Sequence, residues 1–325
     1  MTDSNDDLMM ETMYWWGIPT LFRCDHNKEL SNCDIALVGV PHSSGNGTTE
    51  RDQHLGPRAV RNVSAGFRRV HLDFNINPWK KKKIYDLGDV ALPQANNNEK
   101  CIEDITNFYK KIANENKPVV SIGGDHSITG GILQGLGANN LEMTKGKKIS
   151  FLHIDAHTDT YSQLDHFLGA KKSAAHWGAY LVNQGIIDPK TSMQIGMRGN
   201  PRTLDWLQPS YDLGYNVITM DEFRKRGIDD VIKETLEKIG DNPIYITFDL
   251  DSLDASVAPA VANIEPSFTG FTIEEAKALI QSVKNKNVIG GDVVCLMPTK
   301  DQKNNITSMV AASIMFEIIS VIAYN

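Results

Sequence analysis

The sequence predicts an α/β protein: a three-layer αβα sandwich around one predominantly parallel sheet. Three observations lead there. Short runs rich in β-branched and apolar residues recur along the chain, amphipathic helical stretches separate them, and most of the runs are apolar on both faces. Strands that bury both faces belong to parallel sheets covered by helices on each side. A length of 325 residues suits one such domain over 1–325, with residues 1–33 as an N-terminal extension across the active site or a subunit interface.

In chain order the strand candidates are Asp34–Val40, Lys83–Leu87, Pro118–Ile122, Ile149–Ile154, Ser192–Met197, Asn216–Thr219, Ile244–Leu250 and Val288–Leu296. Helical patterns cover Glu99–Glu115, Asp221–Ile239, Thr272–Lys284 and Ser308–Ala323. Thr272 stands three residues before Glu275, the spacing of a capping box. Lys80–Lys83 is expected as a solvated lead-in to a strand. The apolar stretch Met309–Tyr324 is interrupted by Glu317 and is shorter than the roughly 20 residues of a membrane span. It is expected as a final helix packed in the core. The first forty residues and Asp155–Thr191 are long and irregular, which makes both candidate walls of a pocket.

Composition narrows the function. With 33 Lys+Arg against 40 Asp+Glu the formal charge is -7, which disfavours nucleic acid and anionic membranes as partners. Cys24, Cys33, Cys101 and Cys295 form no C-x-x-C pair and no zinc-ribbon spacing, so reduced thiols in a reducing compartment are expected. Met1–Met10 is acidic and polar without an apolar run, and a cytoplasmic location follows as the expectation.

Chemistry concentrates at the carboxyl ends of three predicted strands, where open α/β sheets hold their ligands. The first end reads Ser121-Ile-Gly-Gly-Asp-His126; by itself it is a tight turn with Asp125 capping a helix, and it lacks the Lys-Ser/Thr ending of a phosphate loop. The second reads His153-Ile-Asp-Ala-His-Thr-Asp159. In extended chain Asp155, His157 and Asp159 project on one side, crowding groups that repel unless a cation neutralises them. The third, Phe248-Asp-Leu-Asp-Ser-Leu-Asp254, sets Asp249 and Asp251 on one face of an apolar strand, with Asp254 in a turn. Four carboxylates and two imidazoles, without thiolate, suit two divalent ions such as Mn²⁺ or Ni²⁺.

These three ordered segments resemble the ureohydrolases, the family of arginases, agmatinases and guanidino-acid hydrolases, from about Asp34 to the C-terminus. The resemblance implies an arginase-like fold around an eight-stranded parallel sheet. It implies one metal held by His126, Asp155, Asp159 and Asp249, and a second by Asp155, His157, Asp249 and Asp251, with Asp155 and Asp249 bridging. A metal-bridging hydroxide would attack the guanidino carbon, making Asp155 catalytic as well as a ligand. His176, in Ala-Ala-His-Trp, matches the histidine expected to pass a proton to the leaving amine, although Trp177 stands where the family has glycine. The family is further expected to form a homo-oligomer, a hexamer or trimer.

One departure bears on substrate. Where the family carries a guanidinium-gripping glutamate near the end of the last strand, this chain reads Asp292-Val-Val-Cys295, and a thiol carries no fixed charge at neutral pH. Cys295, Glu265 and Trp177 are the candidate substrate contacts. Met13–Phe22 and His42–Pro57 are similar to a subgroup that hydrolyses free guanidine and to related metformin hydrolases. Trp15 and Trp16 are aromatic faces able to attract a cation. Free guanidine, cleaved to urea and ammonia, is the expected substrate; agmatine or another guanidino compound is the alternative, and a non-catalytic subunit of the same fold the more distant one.

Overall fold

The computed structural model describes residues 5, 8–9, 12–47, 50–137, 141–164, 167, 169–265 and 269–325. Part of the extension 1–33, and Thr48 and Thr49 of the segment 42–57, lie outside the described residues. Eight strands form one sheet: β1 (Ile35–Gly39), β2 (Ile84–Asp89), β3 (Val119–Ile122), β4 (Ser150–Ile154), β5 (Met193–Met197), β6 (Asn216–Thr219), β7 (Ile244–Asp249) and β8 (Val288–Val294). Their order is β2-β1-β3-β8-β7-β4-β5-β6, and every neighbouring pair is parallel.

Alternation along each strand divides the core in two. Leu37, Ile122, Ile154 and Phe248 join one buried cluster, whereas Ala36, Val38, Phe151 and Tyr245 join the other. On the first face pack α1 (Gly56–Ser64), α7 (Met220–Arg226), α8 (Ile228–Ile239), α9 (Ile273–Ser282) and α10 (Ile306–Tyr324). On the second lie α3 (Asn98–Asn114), α4 (Ser127–Leu136) and α5 (Trp177–Asn183). Two further short helices are α2 (Pro78–Lys81) and α6 (Gln208–Leu213). The three layers are those the sequence predicts. The Thr272–Glu275 capping box is formed, each side chain accepting from the other residue's amide.

Two expectations are corrected. Asp221–Ile239 is two helices, broken at Gly227 (φ 81°). The last strand stops at Val294 because Cys295 leaves the extended region (φ 70°). α1 and α4 lie outside the expected helical stretches: α4 is buried nearly all round and so has no polar face to mark its period, and α1 opens on Gly-Pro. α10 is long and apolar enough to cross a membrane by length and composition, yet it packs against β8, α1 and α9 with most residues buried.

The central four strands set the site. Register aligns Ile122, Val293, Phe248 and Ile154 in one row across β3, β8, β7 and β4. The residues just beyond that row therefore emerge side by side at the carboxyl rim.

Candidate metal centre

Each strand end delivers its ligands by a different local device. After β3 the chain turns through Gly123-Gly124 into α4, and a Cβ at Gly124 would collide with the carbonyl oxygen of His42. Asp125 fixes this turn: Oδ1 accepts from the amide of Ser127 at 3.0 Å, and Oδ2 from the amide of Gly45 at 2.8 Å. His126 then enters α4 buried, with its ring directed into the rim.

After β4 the backbone is not extended. Asp155 Oδ1 accepts from the amide of His157 at 2.7 Å, and Asp159 adopts φ 51°, so Asp155, His157 and Asp159 meet through a folded turn instead of the alternation expected from sequence. Asp249 ends β7, and its Oδ1 accepts from the amide of Asp251 at 2.9 Å, folding Asp251 back over the same rim. Asp254 stays in a turn, accepting from Ser256.

All six expected ligands converge. His126 Nδ1 lies 2.9 Å from Asp155 Oδ2, 3.1 Å from Asp159 Oδ2 and 3.2 Å from Asp249 Oδ2. His157 Nδ1 lies 3.4 Å from Asp155 Oδ1 and 3.2 Å from Asp251 Oδ2. Asp155 thus offers one oxygen to each group, as a bridging carboxylate must. Asp249 gives Oδ2 to the first group while Oδ1 is occupied by the Asp251 amide.

The protonation pattern fits a cation. Thr247 donates its hydroxyl proton to Asp292 Oδ1 at 2.7 Å, so it accepts from His126 Nε2 at 2.8 Å. That turns Nδ1 toward three carboxylates, as the atom that would bind a cation in place of its proton. Burial opposes charge on His126, but Asp155, Asp159 and Asp249 outweigh it and hold its pKa well above the ordinary value. His157 is raised in the same way against burial, chiefly by Asp251. Asp251 is itself pushed well above the carboxylate range by burial and by repulsion from Asp249. Protein groups alone leave this cluster short of positive charge, and oxygen and imidazole donors in this mixture suit divalent cations.

Two supports were not legible as such. His153, buried, approaches Asp155 Oδ2 through Nε2 at 2.7 Å and joins the first ligand group. Its place two residues before Asp155 on the same strand was the available signal. Trp177 is corrected from substrate contact to support: its indole is fully buried, packs tilted against His126 and edge-on against His153, and donates from Nε1 to Asp159 Oδ2 at 2.9 Å.

A cavity of about 570 Å³ opens over the cluster, lined by His126, His157, Asp159, Asp249, Asp251, Glu265 and Cys295, with Asn46, Tyr161, Phe167, Arg198 and Arg202 among the other walls. Cys295 is 6% exposed, and burial with the nearby Asp249 and Asp251 raises its thiol well above the ordinary pKa. His176 is buried and does not line the cavity, but Ala174 and Ala175 beside it do, and Ser173 Oγ holds its Nδ1 at 2.6 Å. Trp15 and Trp16 stand elsewhere, around a separate hollow with Asn62 and Ala65. α1 starts at the rim, where Gly56 packs on Gly123, and runs away from it, so these aromatics do not reach the metal cavity within this chain. All four cysteines are free and buried.

The geometry has clear relatives. The arginase-family model matches residues 33–320. The chain is 30% identical over 309 residues to a guanidinopropionase of Pseudomonas aeruginosa, covering 94% of this chain and 92% of that protein. It is 31% identical over 304 residues to the mitochondrial guanidino acid hydrolase of Homo sapiens, covering 93% and 82%. The solved structure of proclavaminate amidino hydrolase from Streptomyces clavuligerus superposes with a TM-score of 0.86 at 27% identity, over 96% of this chain and 99% of that one. The chain therefore belongs to the arginase family, and it is a hydrolase acting on amidine carbon–nitrogen bonds.

Proposed function

We infer that this chain cleaves a guanidino carbon–nitrogen bond in a small cationic substrate, releasing urea and an amine or ammonia. The observation that carries this reading is the pair of imidazole Nδ1 atoms, of His126 and His157, set against opposite oxygens of Asp155. His126, Asp155, Asp159 and Asp249 would hold one divalent ion, and Asp155, His157, Asp249 and Asp251 the other. Bound there, such ions supply an activated water nucleophile with its pKa lowered toward ~7. Trp177 and His153 keep Asp159 and Asp155 oriented, and the acidic wall attracts a guanidinium. A poor amine leaving group needs a proton as it departs. We assign that proton to His176, anchored by Ser173 beside the cavity wall.

Two substrate classes are supported by different observations. The relatives named above for guanidinopropionate and guanidino acids act on compounds with a tail, the cavity has room for one, and Arg202 in its wall suits a carboxylate. Free guanidine is supported by Cys295 and by the segment 42–57, whose Asn46 lines the cavity and whose Gly45 is tied to Asp125. The test is urea release from guanidine, guanidinopropionate, guanidinobutyrate, agmatine, arginine and metformin, with Mn²⁺ and Ni²⁺ in turn. The highest kcat/KM on a tailed compound selects the first class, and on guanidine the second. No urea from any of them sinks the function.

A further inference from the structure

A cation entering this cavity gives up part of its hydration and needs a counter-charge there, because an unpaired charge taken out of water is costly. The four aspartates of the rim are committed to the metal groups. One carboxylate is left over. Glu265, in the loop between β7 and α9, has a side chain only 13% exposed and lines the same cavity. Its Oε1 meets His157 Nε2 at 2.8 Å, on the opposite edge of the ring from the Nδ1 that faces Asp155 and Asp251. The imidazole therefore stands between Glu265 and the metal cluster, and Glu265 belongs to neither ligand group.

The fold makes room for this carboxylate. Gly199 has φ 106°, and a Cβ there would collide with Glu265 Oε2. Across the cavity, the end of β8 presents Cys295, a thiol that is uncharged at neutral pH at its ordinary pKa. A carboxylate fits a guanidinium by parallel N–H···O bonds, a pairing that a thiol cannot offer.

We propose that Glu265 is the residue that grips the guanidinium of the substrate, doing from the β7–α9 loop what Cys295 at the strand end cannot. This rests on the substrate being a guanidinium compound. Oε1 steadies His157 while Oε2, beside Gly199, keeps lone pairs for the cation.

Glu265→Gln separates this from a purely supporting role, because its amide oxygen still accepts from His157 while the charge is gone. In the Mn²⁺-loaded protein, guanidinium chloride binding is measured by calorimetry and metal content by mass spectrometry. The expected result is unchanged metal content with guanidinium affinity weakened about 10- to 100-fold, the loss of one charge-assisted bond. Gly199→Ala, which displaces the carboxylate, is expected to weaken binding in the same direction. Unchanged guanidinium affinity in Glu265→Gln overturns the proposal, and so does a parallel loss of metal, which would make Glu265 a support of His157. If the parent protein binds guanidinium through Glu265 but releases no urea from any guanidino compound, the function proposed above fails and this assignment stands.

Discussion

Two buried acidic clusters in this molecule solve the same electrostatic problem in opposite ways. At the sheet edge, Asp86 is closed off by the chain itself. It accepts from Arg61 Nε at 2.8 Å and Nη2 at 3.0 Å, and from the amides of Leu21 and Gly88 at 2.9 Å each, while Arg61 also reaches Asp89 at 2.6 Å. At the rim of β4 and β7, every ion pair of Asp155, Asp159, Asp249 and Asp251 among the described residues is with a histidine. The first cluster is complete without help and is structural. The second is complete only with a cation from outside, and that incompleteness marks the functional site. Burial and acidity are common to both; the missing arginine separates them.

The comparison breaks most sharply at Asp155, which both metal groups share. Loss of a residue that merely orients a ligand already costs about 10–100-fold in metal affinity or activity. Asp155→Asn is therefore expected to exceed that range, with urea release at background and metal content below two ions per chain. Retained activity at parental metal content would remove Asp155 from the centre.

Asp86→Asn is the counterpart and should act on stability alone. Breaking one side of a buried pair costs about 3–5 kcal/mol, read as a lower denaturant midpoint, while kcat/KM stays at the parental value. The pH dependence has a defined sign. Burial would raise the Asp86 pKa, but Arg61 and the two amides hold it below the ordinary value. The unfolded chain then binds the proton more readily, so this stabilisation is complete above about pH 4 and is lost as pH falls through the lower folded value. The variant should lack that acid-side loss.

How much of this was visible in the sequence follows from the same physics. The sheet was legible because parallel strands are apolar on both faces, and the eight expected runs are the eight strands. The gathering of carboxylates at the rim was legible because Asp249 and Asp251 end an apolar strand, where an unpaired carboxylate is costly. The way they meet was not. Alternation in an extended chain put Asp155, His157 and Asp159 on one side at the β4 end, but the chain brings them together by folding, through the bond of Asp155 to the His157 amide and the positive φ of Asp159, which no periodicity encodes. Residues supplied by distant segments were equally hidden: Thr247 and Asp292 behind His126 lie on different strands, and no local pattern joins them. Trp177 was misread because an aromatic beside a site histidine looks like a substrate wall, when its indole nitrogen is in fact turned inward to Asp159.

That correction gives a smaller effect. Trp177→Phe keeps the packing against His126 and His153 but removes the only polar atom of the side chain, leaving Asp159 without its donor. Metal affinity, measured by chelator competition, is expected to fall about 10-fold, the low end for such orienting contacts, with the substrate KM at saturating metal unchanged. A raised KM with full metal affinity would return Trp177 to the cavity wall.

The smallest effect carries the comparison furthest, because its sign reverses between the two clusters. In the metal-free protein Asp251 is buried beside Asp249 and Asp155, all three of one charge type, and His157 is the imidazole that faces it. Asp251→Asn removes one member of that crowd while keeping its size. With chelator present, the variant should be slightly more stable than the parent, read as a higher denaturant midpoint. With saturating Mn²⁺ the order should invert, since ligand binding stabilises only the chain that can hold both ions. Asp86→Asn, carrying its own counter-charge in Arg61, should be destabilised equally with and without metal. If Asp251→Asn destabilises the chelated protein as Asp86→Asn does, then the rim, like the edge, is balanced by the protein alone, and the argument that it awaits cations fails.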